Sequence, residues 1–203
     1  MATIKAIIFD VGGVLKNDND QDIRRDVQET LGIAPEHFAK PWEELTDKLG
    51  RGLIDEPAFW QQLHTLAEAR NKVPKESLLM RQYTKKYQLN EDIVALVHRL
   101  QAAGYTTAIL SNTNSLHADF NRARGMFEGF DAIILSHEVG LRKPSPEIFT
   151  YTLRKLGVAP EEAVFIDDMP ENVAGAAAVG IHAINFQNAR QLTEELERLG
   201  LSV

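Results

Sequence analysis

The sequence predicts an α/β fold, with a doubly wound, three-layer core around a parallel sheet and a small all-α cap inserted after the first strand. Five short apolar runs are continuous rather than alternating, which is typical of parallel strands that are covered on both faces. These runs lie at residues 4–9, 105–110, 132–135, 163–166 and 182–186. Helix-like segments separate the later runs, whereas residues 16–88 contain no convincing strand pattern.

Amphipathic helices are predicted between and after the later strands. They lie at residues 91–103, 146–156, 171–179 and 191–199. Pro146 occupies the first predicted position of its helix, where proline is favoured. Gly104, Gly157 and Gly180 follow the ends of three of these segments, as is common after a helix. The alternation of strand and helix predicts a parallel sheet with helices on both faces.

The first strand is separated from this regular alternation by a long helical stretch. Residues 16–88 read as amphipathic helices that are broken near Gly32, residues 50–52 and Pro74. We therefore expect two units. Residues 1–15 and 89–203 would form a Rossmann-like catalytic core, and residues 16–88 would form a helical cap.

Composition excludes several classes of protein. The chain has 203 residues and a formal net charge of -7, which disfavours a nucleic-acid-binding surface because such surfaces need clustered Lys and Arg. No apolar run approaches the length of a membrane span, so no membrane association is expected. The absence of cysteine excludes disulfides and thiolate metal sites. A cytoplasmic location is the default expectation.

Chemically reactive side chains follow three of the predicted strands. Asp10 follows the first strand, Ser111 and Asn112 follow the second, and Asp167 and Asp168 follow the fourth. Because the carboxyl ends of parallel strands lie at one edge of the sheet, these side chains should converge there.

A divalent cation is expected at this edge. Clustered carboxylates repel one another and raise one another's pKa unless a cation lies between them. All-oxygen ligation without His or Cys favours Mg²⁺, which in turn favours phosphate chemistry. Lys143, in the loop after the third strand, lies at the same edge and is positioned to neutralise phosphate oxygens.

Four spaced motifs resemble those of the haloacid dehalogenase-like hydrolase superfamily. They are residues 9–15 (FDVGGVL), residues 110–113 (LSNT), Lys143-Pro144, and residues 165–168 (FIDD) with Asn172 and Gly175. Within the superfamily the chain is most similar in character to bacterial sugar-phosphate phosphatases of the glucose-1-phosphate type. The resemblance implies a phosphoric monoester hydrolase that acts on a small phosphorylated metabolite with Mg²⁺ as cofactor.

The same resemblance implies a role for each motif residue. Asp10 would attack phosphorus and form an aspartyl-phosphate. Asp10, the carbonyl of Gly12 and Asp168 would hold Mg²⁺, with Asp167 helping directly or through water. Ser111 and the amide of Asn112 would bind the phosphoryl oxygens, and Lys143 would bind them as well and stabilise the charge during transfer.

One position departs from the superfamily pattern. Most phosphatases of the superfamily carry a second Asp two residues after the nucleophile as general acid and base, but this chain has Gly12 there. A positioned acid or base is worth roughly 10²–10⁴ in rate. Three interpretations follow: a phosphatase whose substrate or cap replaces the acid, a metal-independent 2-haloacid dehalogenase, and a catalytically weakened binding or scaffold protein. The phosphatase ranks first, and Asp18 or Asp20 is a further candidate for the missing acid.

Overall fold

The central feature of the computed structural model, which describes residues 3–18 and 20–202, is a five-stranded sheet. Its strands are β1 (Ala6–Phe9), β2 (Thr106–Ser111), β3 (Ala132–Leu135), β4 (Ala163–Asp167) and β5 (His182–Asn185). The order across the sheet is β3-β2-β1-β4-β5, and every neighbouring pair is parallel. The strand that precedes Asp10 is therefore the central one.

The register of the sheet sets which residues lie level at its carboxyl edge. Phe9 of β1 is paired with Ile109 of β2 on one side and with Ile166 of β4 on the other. Asp10 and Asp167 follow Phe9 and Ile166 directly, so both carboxylates leave the sheet at the same level. Ser111, the last residue of β2, lies at the same edge.

Helices account for most of the remaining chain. The first four are α1 (Asp20–Leu31), α2 (Pro35–Gly50), α3 (Glu56–Leu66) and α4 (Leu78–Lys85). The next three are α5 (Glu91–Ala102), α6 (Ser115–Arg122) and α7 (Ser136–Val139). The last three are α8 (Pro146–Leu156), α9 (Pro170–Ala178) and α10 (Ala189–Arg198), with a 3₁₀ turn at Pro160–Glu162. Among the described residues no helix has both the length and the apolar character needed to cross a bilayer.

The two faces of the sheet are covered by different helices. Ile7 and Phe9 of β1 pack into an apolar cluster with residues of α5 and α10. Ile8, which points to the opposite face, packs into a second cluster with residues of α8 and α9. Burial on both faces explains why the strand sequences are continuously apolar. The predicted doubly wound, three-layer α/β fold is confirmed.

Helices α1–α4, called the helical segment below, form their own apolar cluster. Its buried side chains include Val27 and Leu31 of α1, Trp42 of α2 and Phe59 of α3. The Trp42 and Phe59 rings meet edge to face with their centroids 5.7 Å apart, an arrangement that aromatic pairs favour. The helices lie within the range that the sequence assigns to a cap; the division of the chain at residues 16 and 88 stays a prediction.

Candidate active site

Three carboxylates converge at the carboxyl edge of the sheet. Asp10 follows β1 and is 7% exposed, and its backbone N–H donates to the carbonyl of Ile166 at 2.9 Å. Asp167 ends β4 and is fully buried, and the next residue, Asp168, is half-buried. One oxygen of each of these three side chains lies within 4.8 Å of the others. The convergence that the strand ends predict is therefore present.

Lys143 joins two of these carboxylates. Its Nζ lies 2.8 Å from Oδ1 of Asp10 and 2.6 Å from Oδ2 of Asp167, and its side chain is 1% exposed. A lysine is rarely this buried unless it is paired, and two carboxylates compensate its charge here. The ammonium thus lies in the cluster itself, between residues contributed by two neighbouring strands.

Asn112 fixes the loop that carries Lys143. Its Oδ1 accepts from the backbone N–H of Lys143, and its Nδ2 donates to the Lys143 carbonyl, both at 2.9 Å. This pair of bonds crosses between the end of β2 and the loop before α8, which are remote in sequence. The family resemblance implies that the amide of Asn112 binds phosphate, but it does not indicate that the side chain positions Lys143.

Asp167 is surrounded by donors. Its Oδ1 accepts from the backbone N–H of Met169 at 2.9 Å, and Nδ2 of Asn172 lies 3.0 and 3.1 Å from its two oxygens. Lys143 binds the second oxygen. A fully buried carboxylate requires such compensation. Both oxygens of Asp167 are thus engaged by protein donors.

Burial shapes the acidity of the other two carboxyl groups. Burial is the main cause that raises the pKa of Asp10 to about 7, with the Asp167 charge acting in the same direction and the Lys143 ammonium opposing it. Burial and the neighbouring Asp167 charge also raise the pKa of Asp168. Both carboxyl groups are thus disfavoured as anions, mainly by burial, and a cation between them would offset that effect.

The two glycines after the nucleophile position have different surroundings. Gly13 has a φ of +74°, and a Cβ added there would overlap the carboxylate of Asp168. Glycine is therefore needed at residue 13 for its backbone conformation and for the close approach of Asp168. A Cβ added at Gly12 would meet no atom within 4 Å, so the space beside Gly12 is open.

Ser111 and a neighbouring serine complete the floor of the site. Ser111 is 5% exposed and lines the cavity next to Asp10. The buried Ser136 hydroxyl accepts from the N–H of Thr113 at 2.9 Å and donates to the Thr113 carbonyl at 3.0 Å. Ser136 thereby holds the loop after β2 in place, and none of the sequence motifs includes this residue.

A cavity of about 680 Å³ opens over the carboxylates. Its floor is the sheet edge, and the helical segment contributes polar and charged side chains together with the apolar Ile23 and Trp42. Asp47 of α2 connects the two sides, because Oδ1 lies 3.3 Å from Nη1 of Arg142 and Oδ2 lies 2.9 Å from Nε of Arg51. Arg142 precedes Lys143 in the chain, so the roof contacts the loop that carries the buried lysine.

Curated relatives of this chain include enzymes with different reactions. The chain is 28% identical to (S)-2-haloacid dehalogenase 1 of Pseudomonas sp., with 96% of this chain and 89% of the relative covered. It is 28% identical to sesquiterpene phosphatase astK of Aspergillus oryzae, with 97% of each chain covered. It is also 29% identical, over 96% of its length, to mouse acyl-CoA dehydrogenase family member 10, of which it spans 19%.

A solved structure shares the architecture. A haloacid dehalogenase family enzyme from Bacteroides thetaiotaomicron, in complex with magnesium and inorganic phosphate, superposes with a TM-score of 0.74 at 25% identity, covering 91% of this chain and 95% of that chain. The family description for haloacid dehalogenase-like hydrolases matches residues 4–180, which contain all four motifs and the three carboxylates. The superfamily resemblance of the motifs is confirmed, and the chain belongs to the haloacid dehalogenase-like hydrolase family.

Proposed function

We propose that the protein is a Mg²⁺-dependent phosphatase that hydrolyses a small phosphorylated metabolite through an aspartyl-phosphate on Asp10. The observation that carries the proposal is the three-carboxylate cluster at the carboxyl edge of the sheet, with Lys143 bound to two of its members. A cluster of this kind can hold a cation and still present one carboxylate oxygen to an electrophile. The relationship to an astK-type phosphatase supports the same reaction class.

Mg²⁺ fits the residues at the site. The available donors are all oxygens, which Mg²⁺ prefers, and a bound cation would offset the burial that raises the pKa values of Asp10 and Asp168. Asp10, Asp168 and the carbonyl of Gly12 would hold the ion. Asp167 would act through water, because both its oxygens already accept protein hydrogen bonds. When bound, Mg²⁺ would neutralise charge on the phosphate oxygens.

In the proposed reaction, Asp10 is the nucleophile, and Lys143 and Ser111 bind the phosphoryl group. A carboxylate oxygen of Asp10 forms a bond to phosphorus while the ester P–O bond breaks, and the electron pair of that bond leaves with the alcohol oxygen. Lys143 and Ser111 lie beside Asp10 and would bind the non-bridging phosphoryl oxygens. Water then hydrolyses the acyl phosphate, which releases phosphate and restores the Asp10 carboxylate.

The cavity favours a substrate rich in hydroxyl groups. Its walls beyond the carboxylates include guanidinium, carboxylate, amide and hydroxyl groups beside the apolar Ile23 and Trp42, and substrate hydroxyls can both donate to and accept from the polar groups. The contributing residues are Gln21, Arg24, Glu43, Thr46, Asp47, Arg51, Arg142 and Ser145. We therefore propose a sugar or polyol phosphate as the substrate class.

Dehalogenation is the second candidate, because a haloacid dehalogenase of matched length is among the relatives and Gly12 lacks the acid side chain. An anionic haloacid, however, would approach three carboxylates without a metal ion to offset their charge, and Lys143 is already paired with two of them. This repulsion favours a metal-assisted reaction and ranks dehalogenation below phosphate hydrolysis.

The function is tested by measuring phosphate and halide release from sugar phosphates, 4-nitrophenyl phosphate and 2-haloacids, with Mg²⁺ and with excess chelator. We expect phosphate release that requires Mg²⁺ and falls to the assay background in Asp10→Asn, because an amide cannot replace the attacking carboxylate. Asp92→Asn, which changes an exposed Asp on α5, is the matched control and should retain full activity.

Two results would contradict the proposal. Phosphate release that persists in chelator would remove the metal from the mechanism. Halide release without phosphate release would identify the protein as a dehalogenase.

A further inference from the structure

Lys16 is a second buried lysine in the same cavity. It lies between β1 and the helical segment, is 4% exposed, and lines the cavity together with Asp10 and Gly12. Its Nζ donates to the carbonyl of Asn17 at 2.7 Å and lies 4.6 Å from the centroid of the Tyr83 ring. Neither the sequence motifs nor the family resemblance assigns this residue a role.

The backbone brings Lys16 beside the open position at Gly12. The N–H of Lys16 donates to the carbonyl of Val11 at 3.0 Å, and residues 12 and 16 form a β-bridge. A Cβ added at Gly12 would meet no atom within 4 Å. The chain therefore makes a tight turn after the nucleophile, and a lysine lines the cavity together with the position that has no side chain.

The proposed reaction leaves one charge without an assigned partner. When the ester bond breaks, negative charge develops on the leaving oxygen, and stabilising that charge is worth a large part of the barrier for a poor leaving group. Lys143 is bound to Asp10 and Asp167 on the sheet side of the nucleophile. Asp18 and Asp20 also line the cavity, but both side chains are exposed, and a carboxylate at either position would repel developing negative charge.

We infer that Lys16 is a catalytic residue that donates a hydrogen bond to the leaving-group oxygen. This inference rests on the proposed phosphatase function. An ammonium donates up to three hydrogen bonds, so the contact with Asn17 is compatible with a contact to substrate. The electron pair of the broken P–O bond stays on the leaving oxygen, which the ammonium stabilises as charge builds up. That oxygen then takes its proton from water.

The test compares two substrates of similar shape, phenyl phosphate and 4-nitrophenyl phosphate, in wild type and in Lys16→Met. Nitrophenolate delocalises its own charge and needs little help, whereas phenolate needs more. We expect kcat/KM to fall by about 10²-fold for phenyl phosphate and by less than about tenfold for 4-nitrophenyl phosphate. The ratio kcat/KM is used because it reports the step in which the ester bond breaks.

A rescue experiment separates a catalytic role from a structural one. In the Lys16→Met background, Gly12→Asp places a carboxyl group that can donate a proton in the open space, and it should restore phenyl phosphate turnover at least tenfold. Gly12→Ala in the same background fills the position without a donor and should restore nothing. A lysine that only supported the fold would not be replaced by an acid at residue 12.

The outcomes distinguish the two proposals. If wild type releases phosphate from neither substrate, the phosphatase function fails. If wild type is active and Lys16→Met lowers kcat/KM by the same factor for both substrates, only the role of Lys16 is overturned. Should Lys16→Met not fold, as judged by circular dichroism, Lys16→Gln is used instead. A larger loss of kcat/KM for phenyl phosphate than for 4-nitrophenyl phosphate supports the inference, and an equal loss overturns it.

Discussion

Replacing Lys143 by Met should destabilise the fold strongly, because it removes the ammonium from a buried carboxylate cluster. The lysine side chain is 1% exposed, and its Nζ contacts Asp10 at 2.8 Å and Asp167 at 2.6 Å. Removing one partner of a buried ion pair typically costs about 3–5 kcal/mol. Two ionised carboxylates 4.8 Å apart, the upper limit within the cluster, would repel by about 3.5 kcal/mol at an effective dielectric constant of 20. Proton uptake by Asp10, whose pKa is already raised to about 7, would relieve part of that cost.

The measurement is urea unfolding at neutral pH in the presence of chelator, for wild type, Lys143→Met and Lys155→Met. Lys155 is an exposed residue of α8, so its substitution removes the same charge without touching the cluster. We expect the free energy of unfolding to fall by about 3 kcal/mol in Lys143→Met and to stay within about 0.5 kcal/mol of wild type in Lys155→Met.

Adding Mg²⁺ extends this test to the metal site. The ion should stabilise Lys143→Met more than wild type, because it no longer competes with an ammonium for the same carboxylates. The reasoning would be refuted if Lys143→Met lost less than about 1 kcal/mol, which lies below the range expected for a buried pair. It would also be refuted if Mg²⁺ stabilised both proteins equally.

Two further predictions concern neighbouring features. Gly13→Ala should lower the free energy of unfolding in urea by at least about 1–2 kcal/mol, because the backbone of residue 13 is left-handed and the added Cβ would overlap Asp168. Gly12→Ala should change the free energy of unfolding by less than about 1 kcal/mol. Equal effects of the two substitutions would contradict this prediction. Burial lowers the pKa of His117 from 6.5 to about 4, so the unfolded chain binds a proton first as pH falls. His117 should therefore cost wild type about 2 kcal/mol of stability between pH 7 and pH 5. In His117→Asn the loss of stability between pH 7 and pH 5 should be smaller by this amount, whereas in His98→Asn, which changes an exposed histidine, it should equal that of wild type. An unchanged pH dependence of stability in His117→Asn would refute the role assigned to His117.

The carboxylate cluster was predictable from the sequence because the ends of parallel strands can be recognised from the apolar runs and lie at one edge of the sheet. A continuous apolar run ends at Asp10 and another at Asp167, and both were predicted to reach one edge of a parallel sheet. The observed register places the residues before them, Phe9 and Ile166, directly opposite each other. The convergence of the carboxylates follows from that register without any knowledge of the packing.

Two helices were missed because their sequences carry weak periodic signals. Helix α7 has four residues, which is too short to show a helical repeat. Helix α6 is mostly polar and begins where the Asn114 side chain accepts from the N–H of His117 at 3.0 Å. The residue after the LSNT motif, Asn114, is thus the cap of a helix that the sequence pattern does not predict.

The long-range contacts of the site were not readable from the sequence. The two hydrogen bonds between Asn112 and the backbone of Lys143 join segments that are 31 residues apart. The contact of Arg142 with Asp47 spans 95 residues. Such contacts depend on the tertiary packing of helices and loops, which local patterns in a single sequence do not predict.

The two adjacent glycines differ in why a side chain is absent: steric constraint explains Gly13 but not Gly12. At residue 13 a side chain is excluded, because the backbone is left-handed and Asp168 lies against it. At residue 12 no described atom occupies the space of a Cβ, so packing does not explain why the acid of related phosphatases is absent. The open space instead adjoins a buried ammonium that the chain brings in four residues later. A cation at this point would offset leaving-group charge and also limit the negative charge of the carboxylate cluster, which a further Asp would increase.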